Sequence, residues 1–238
     1  MTTKILRTRY GRSATAALAD VIDDAKGGDP LAPVIVIVSD HSLGVTLRRR
    51  LAATRLTADT TGGMTGLAAV DFVTLLDLAR GISAGSPHIA ARRAVSDAVV
   101  LAATRRLLAE RPGVFGPVAD HPSVERTVMA AHRNLREVHP DALDRLSDIG
   151  GSLSDLVGLH RALVERLQPT FHDEHERAVV AAARIADGSV DLPPIVLHLP
   201  GTLVASERRL VGALATAGRL TAVVGDADGP DGSVSADP

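Results

Sequence analysis

The chain contains no cysteine, which excludes disulfides and cysteine-ligated zinc or iron–sulfur centres. It has no tryptophan, one tyrosine and three phenylalanines, so its core must be built from Val, Leu, Ile and Ala. The same scarcity leaves few aromatic platforms on which unpaired bases could stack. Lysine is nearly absent as well: Lys4 and Lys26 stand against 24 arginines. The longest aliphatic run, Val34 to Val38, is far too short to span a bilayer, and the N-terminus has no apolar signal region. A cytoplasmic protein that makes no membrane contact is therefore the expectation. The formal net charge of −2 gives no global electrostatic case for nucleic acid, so any such surface must be local.

What is present is an ordinary globular composition, 45% hydrophobic and 23% charged over 238 residues. Five short apolar or β-branched runs read as strands: Lys4–Thr8, Pro33–Ser39, Leu67–Asp71, Pro194–Leu199 and Arg219–Gly225. The second is continuously aliphatic, the signature of a strand covered on both faces. Helical periodicity follows the first four, over Ser13–Lys26, Ser42–Arg55, Phe72–Arg80 and Val204–Thr216. Strand–helix alternation predicts an α/β fold with a parallel sheet.

Between about His88 and Ala186 the pattern turns almost purely helical. Candidate helices cover Arg92–Glu110, Ser123–Val138, Ser152–Leu167 and His172–Ala186, punctuated by Pro112, Pro117, Pro140, Gly150-Gly151 and Pro169. The organisation expected is an α/β core from residues 1–81 and 191–225, a helical insertion at 82–190, and a turn-rich tail at 226–238 with little to bury.

The segment Lys4-Ile-Leu-Arg-Thr-Arg-Tyr-Gly-Arg-Ser-Ala-Thr-Ala-Ala-Leu18 has the strand–loop–helix layout of a Walker A phosphate loop. A working loop needs a second glycine, a lysine for the β/γ-phosphates and a Ser or Thr for magnesium; Ala14, Ala16 and Ala17 stand in those places. Neither lysine follows a glycine loop into a helix, so no realignment restores the charge.

A parallel sheet that opens on such a loop and is interrupted by helices resembles the first motor domain of UvrD-like superfamily-one helicases, and so implies a P-loop (RecA-like) core. Val38-Ser-Asp-His-Ser-Leu-Gly-Val-Thr-Leu-Arg-Arg-Arg-Leu51 and Val70-Asp-Phe-Val-Thr-Leu-Leu-Asp-Leu-Ala79 resemble the family's two strand-end motifs that touch single-stranded DNA. Val223-Val-Gly-Asp-Ala-Asp228 resembles the strand before the phosphate-sensing Gln, with Gly229 in the Gln position. On the fourth strand His198 and Leu199 stand where the Walker B acids belong. Lysine, acid and sensor are missing together, which leaves no clamp for metal-assisted phosphoryl transfer.

Such degeneracy, with a loop reading Gly11-Arg12-Ser13, resembles the AddB/RexB-like subunits of bacterial helicase–nuclease complexes. The resemblance implies a catalytically inactive domain in DNA double-strand-break repair, beside an active AddA-like helicase–nuclease subunit and DNA. It implies no cofactor, with ATP and magnesium binding unexpected. A second motor domain and a nuclease are found in the family; no residues here match the latter. By this resemblance Gly11, Arg12, Ser13, Thr15, Asp226 and Asp228 form a vestigial nucleotide site, and Ser39, Arg48, Phe72 and Thr74 would touch DNA. The alternatives are a functional ATP-dependent helicase domain, and a small-molecule-binding α/β protein.

Each assignment has a plainer reading. The loop could be a structural turn with Ser13 as helix N-cap. Arg48, Arg49 and Arg50, like Arg92-Arg93 and Arg105-Arg106, could be solvated helix faces, since consecutive helical residues diverge. His172-Asp-Glu-His175-Glu176 is the densest set of potential metal ligands, but it lacks the His-Glu-x-x-His spacing and suits an acidic helix start. Asp226, Asp228 and Asp231 fail as a calcium loop because Pro230 and Asp231 break the pattern.

Overall fold

The computed structural model describes residues 3–58 and 67–226; Asp228 and the rest of the tail lie outside them. In chain order the elements begin β1 (Lys4–Thr8), α1 (Arg12–Lys26), β2 (Val34–Ile37), α2 (His41–Ala58), β3 (Val70–Val73) and α3 (Leu75–Ala84). There follow α4 (Pro87–Ala90), β4 (Arg93–Ala94), α5 (Asp97–Glu110), a 3-10 turn (Gly113–Val118), α6 (Pro122–Arg136), α7 (Pro140–Asp148), α8 (Gly151–Leu167), β5 (Phe171–His172) and α9 (Glu174–Ala186). The last elements are β6 (Ile195–His198), α10 (Ala205–Thr216) and β7 (Leu220–Gly225). The chain divides into two compact units. One comprises residues up to 82, 181–203 and 207 onward; the other comprises 83–180 and 204–206.

The second unit is helical. Leu107 and Leu108 of α5, Val128 of α6, and Leu159 and Leu163 of α8 form its apolar centre, with Phe115 and Leu156 packed against it. Its helices start later and break earlier than periodicity alone suggests. The helix expected from Arg92 begins only at Asp97, because Arg93–Ala94 pairs in parallel with Phe171–His172 and Ser96 accepts the Val99 N–H as N-cap. The same pairing delays the helix expected from His172 until Glu174. Beyond α6 the chain restarts as the separate helix α7. At both His121-Pro122 and His139-Pro140 the histidine Nδ1 accepts a first-turn N–H and the proline takes the first helical position.

The first unit is α/β, with a five-stranded, wholly parallel sheet in the order β1-β7-β6-β2-β3. That order matches neither of the common doubly wound arrangements, 3-2-1-4-5 or 2-1-3-4-5. Right-handed crossovers put α1 and α2, whose connections run toward β3, on one face, and α10, which returns from β6 to β7, on the other. Leu18, Val21 and Ile22 of α1 bury against Val36, Val196 and Val223, with Leu47 and Leu51 of α2 against the same layer. Gly44 lets α2 approach β3 closely: a Cβ there would fall 3.1 Å from Phe72 Cβ and 3.4 Å from Val38 Cγ2.

The third strand lies at Val70–Val73 rather than Leu67–Asp71, and the next helix starts at Leu75 rather than Phe72. Lys26 accounts for the shift. Its buried ammonium donates to three carbonyls, of Pro30 (2.8 Å), Ala32 (2.7 Å) and Ala68 (2.9 Å). Holding Ala68 to the end of α1 takes that residue out of the ladder, and Ala69 turns with φ of 52° before the strand begins. Replacing Lys26 by Met would leave the carbonyls without their charged donor. The expected loss is about 3 kcal/mol of stability, given that bonds to charged groups contribute ~1.5–3 kcal/mol each and part of the loss relaxes. Urea unfolding of Lys26→Met checks this; an unchanged midpoint would remove Lys26 from the determinants of the β3 register.

Candidate functional site

In an all-parallel sheet every strand ends on the same edge, and open α/β sheets bind ligands outside those carboxyl ends. Here the edge has two halves. The ends of β1, β7 and β6 adjoin one another on one side, and those of β2 and β3 on the other.

On the first side, Gly11 is the N-cap of α1, with φ of 80°, a conformation costly for other residues. No side chain caps this helix, which corrects the plain reading of Ser13 as N-cap: Ser13 lies inside the first turn and is exposed. Arg12 is the first helical residue, also exposed. Thr15 donates both its N–H and its hydroxyl to the Gly11 carbonyl, each at 3.2 Å, so its hydroxyl is already engaged. Tyr10 lies directly on Gly225 at the end of β7: a Cβ on Gly225 would sit 2.2 Å from the ring's Cζ and 2.5 Å from its Oη. The phenol thus covers the strand end beside the loop, and Gly225 is the residue that makes room for it. Asp226 donates its N–H to Thr8 O at 2.8 Å, extending the β1–β7 ladder.

The end of β6 is unusual chemically. Val196 and His198 share the face that packs under α1, since His198 is in register with buried Val223. His198 is 2% exposed and neither ring nitrogen has a hydrogen-bond partner among the described residues. Burial alone holds its pKa below the usual imidazole range, so it is neutral at pH 7. Leu199 follows with φ of 44°, a left-handed conformation that costs a non-glycine residue about 1 kcal/mol. This strand therefore ends in a neutral imidazole and a leucine, with no carboxylate at either position.

On the second side, the ladder continues past β2 and β3 through Val38 N–H to Val73 O at 2.9 Å, which brings Ser39 and Thr74 to neighbouring strand ends. Ser39 donates its hydroxyl to Asp40 at 3.0 Å. Asp40 in turn accepts the Leu43 N–H at 2.8 Å in the first turn of α2. Thr74 and Asp77 cap α3 reciprocally: the hydroxyl donates to Asp77 Oδ2 at 2.6 Å, and the Asp77 N–H donates to the hydroxyl at 3.2 Å. That hydroxyl bond, with lesser help from His41 and Arg80, holds the Asp77 carboxyl below the usual carboxylate range.

Arg48 and Phe72 meet in a cleft of about 510 Å³. Its walls include His41, Val45 and Arg48 from α2 and Asp77, Leu78 and Ile82 from α3. Phe72 also packs against the core, as the plain reading of a strand aromatic would have it. Arg48 is exposed at the cleft with no ion pair among the described residues, while His41 Nε2 lies 3.3 Å from Asp77. The sequence motifs named Arg48, Phe72 and Thr74 separately; nothing in their spacing revealed the cleft.

In the helical unit, structure separates arginines that the sequence treats alike. Arg92 is buried and donates to the carbonyls of His88, Gln168 and Phe171 as well as to Glu176. Arg105 forms a bidentate pair with Glu125 at 2.6 and 2.8 Å, and Arg106 pairs with Glu110. Arg92 and Arg105 tie separate elements together, whereas Arg106 and Glu110 pair within α5; each of these guanidiniums is already bonded to an acid. The ligand-like cluster at 172–176 is likewise dispersed: Asp173 pairs with Arg136, Glu176 with Arg92, and His175 with Glu137. Glu137 also accepts the Ser206 N–H (2.7 Å) and hydroxyl (2.9 Å). Burial alone would raise the Glu137 pKa, but these bonds outweigh it and keep the group ionised. With the carboxylate between serine and histidine, the imidazole cannot take the serine proton, so this is not a nucleophile–base pair.

His132 of α6 and His160 of α8 lie with ring centroids 4.9 Å apart and planes tilted by 43°, both buried, their Nδ1 atoms without hydrogen-bond partners among the described residues. Burial first pushes each pKa to about 4, helped at His132 by the His160 ring and then Arg136 and Arg133, and at His160 by Arg136 and Arg161, against the pull of Asp173.

No described helix is long and apolar enough to cross a membrane. No protein-family model matches the chain, and no curated protein matches it by sequence.

The histidine pair sets a pH dependence with a definite sign. Each folded-state pKa, about 4, lies below the unfolded value. On acidification the unfolded chain therefore takes up protons first, and stability falls from about pH 6.5 downward. By about pH 5 the loss should be on the order of 2 kcal/mol for each ring. Urea unfolding across this range checks it, and the His132→Leu/His160→Leu chain should lose most of the dependence. Equal stability at both ends of the range would refute the buried, neutral pair.

Proposed function

We propose that this chain is an inactivated, helicase-like P-loop domain that guides DNA for an active partner in double-strand-break repair. The partner by this reading is an AddA-like helicase–nuclease subunit, which supplies the ATP hydrolysis. The observation that carries the reading is the arrangement of the strand ends. The three segments that resemble nucleotide motifs end side by side on β1, β7 and β6, and the two that resemble DNA motifs end together on β2 and β3. Chemistry at the first half fits inactivity: no lysine follows the loop, a neutral buried histidine replaces the acid, and Tyr10 covers the end of β7. At the second half, Arg48, which has no ion pair among the described residues, can meet a phosphate while Ser39 and Thr74 orient the backbone around it. A small-molecule-binding protein is the second reading, favoured by the cleft beside Phe72, whose volume suits a compact ligand.

Two titrations of the purified chain test this. Calorimetry with ATP and magnesium should show no binding up to millimolar concentration. A labelled oligothymidylate should bind in low salt, and Arg48→Ala should reduce the salt slope by about one and weaken binding roughly several-fold. Micromolar ATP binding with hydrolysis would replace this reading by an active helicase domain. Failure to bind DNA at low salt would remove the DNA role and leave the cleft as the site to pursue.

A further inference from the structure

Among the described residues the sheet is open along β1. This strand is hydrogen-bonded there to β7 only, in register from Lys4–Thr221 to Thr8–Gly225. The Thr8 carbonyl faces β7, where it accepts the Asp226 N–H. Backbone groups alternate sides along a strand, so those of Lys4, Leu6 and Thr8 face β7 and those of Ile5 and Arg7 face outward. Native edges are usually blunted by proline, a bulge or a free lysine. Here there is no proline, the ladder runs unbroken, and Lys4 is drawn away by its ion pair with Asp24 at 3.3 Å. Ile5 is 65% exposed on this edge. Arg7, Arg9 and Arg12 are exposed and carry no ion pair among the described residues.

We infer that β1 is a docking edge for an extended, acidic segment of a partner protein, which adds a sixth strand to the sheet. The outward backbone groups of Ile5 and Arg7 ask for a peptide backbone. The side chains specify the pattern. Ile5 and Arg7 point to the same face, so the added strand places an aliphatic residue beside Ile5 and carboxylates beside Arg7 and Arg9. Nucleic acid would satisfy the arginines and leave the backbone groups and Ile5 unmatched. The inference rests on the sheet edge alone and is independent of the DNA reading.

The probe is a pair of synthetic strands, acetyl-Thr-Val-Thr-Glu-Thr-Glu-Thr-amide and its reverse sequence, which cover both strand directions. Either is added to the full chain and followed by anisotropy and by amide exchange. Expected are binding by one direction, slowed exchange of the Ile5 and Arg7 amides, and at least roughly ten-fold weaker binding when Lys replaces Glu. Arg7→Glu, at an exposed position that leaves folding intact, should reverse that preference. N-methylating alternate amides should abolish binding in one phase and spare it in the other, which charge attraction alone would not do. No binding, preference unmoved by Arg7→Glu, or equal binding of both methylated phases would overturn the inference. So would displacement of the peptide by single-stranded DNA with the Ile5 and Arg7 amides still exchanging freely.

Discussion

One buried ammonium sets much of the geometry on which the candidate site depends. Lys26 closes α1 by donating to carbonyls of the following loop and of the approach to β3. A lysine buried this deeply is tolerated because its donors all find acceptors within the fold. The consequence runs forward along the chain. With Ala68 held, β3 can begin only at Val70. Its end therefore falls at Val73, level with Val38, and Thr74 becomes the cap of α3. Arg48 and Phe72 then share a cleft because Gly44 lets α2 lie against that strand. A position that looks like an incidental surface lysine at the end of an amphipathic helix fixes the register of a strand 44 residues later.

The carboxyl edge of the sheet separates what topology supplies from what side chains supply. Topology brings the end of β7 between the first loop and the end of β6 and leaves a helix start at Gly11 with no side-chain cap. The side chains withhold the rest. Phosphoryl transfer depends on cations at the phosphates and on acids that hold magnesium. Beside the loop this edge offers the exposed Arg12 as a cation, but otherwise alanines, a neutral imidazole and a phenol laid over glycine. The unpartnered ring of His198 and the left-handed Leu199 are both costs to stability at the same strand end.

The α/β class and the parallel sheet were legible in the sequence because a continuously aliphatic strand and strand–helix alternation have few other solutions. Boundaries were less legible wherever tertiary contacts decide them. The shift of β3 depends on Lys26, and the late start of α5 depends on pairing with Phe171–His172, 77 residues on from Ala94 at the nearest. Proline signals were visible at Pro122 and Pro140, but not that the preceding histidines would cap those helices. Among site residues, the motifs singled out Ser39 and Thr74, which the register does bring to adjacent strand ends. The cleft, the buried histidine pair and the Tyr10–Gly225 contact had no sequence signal, since each joins residues from distant segments by shape alone.

Arginine runs show most clearly why composition could not assign the surface. A guanidinium is always charged, and what distinguishes one from another is whether a carboxylate lies within reach. In the helical unit Arg92, Arg105, Arg136, Arg161 and Arg166 each find an acid, so these five act as internal ties. In the α/β unit Arg7, Arg9, Arg12 and Arg48 are exposed and have no such acid among the described residues. A net charge of −2 therefore conceals arginines of different standing: some bonded to an acid, others held toward solvent, which in the α/β unit lie along a sheet edge, a loop and a cleft. A guanidinium bonded to a buried carboxylate, as Arg105 is to Glu125, would have to leave that acid unpaired in order to bind another anion, and the exposed guanidiniums carry no such cost.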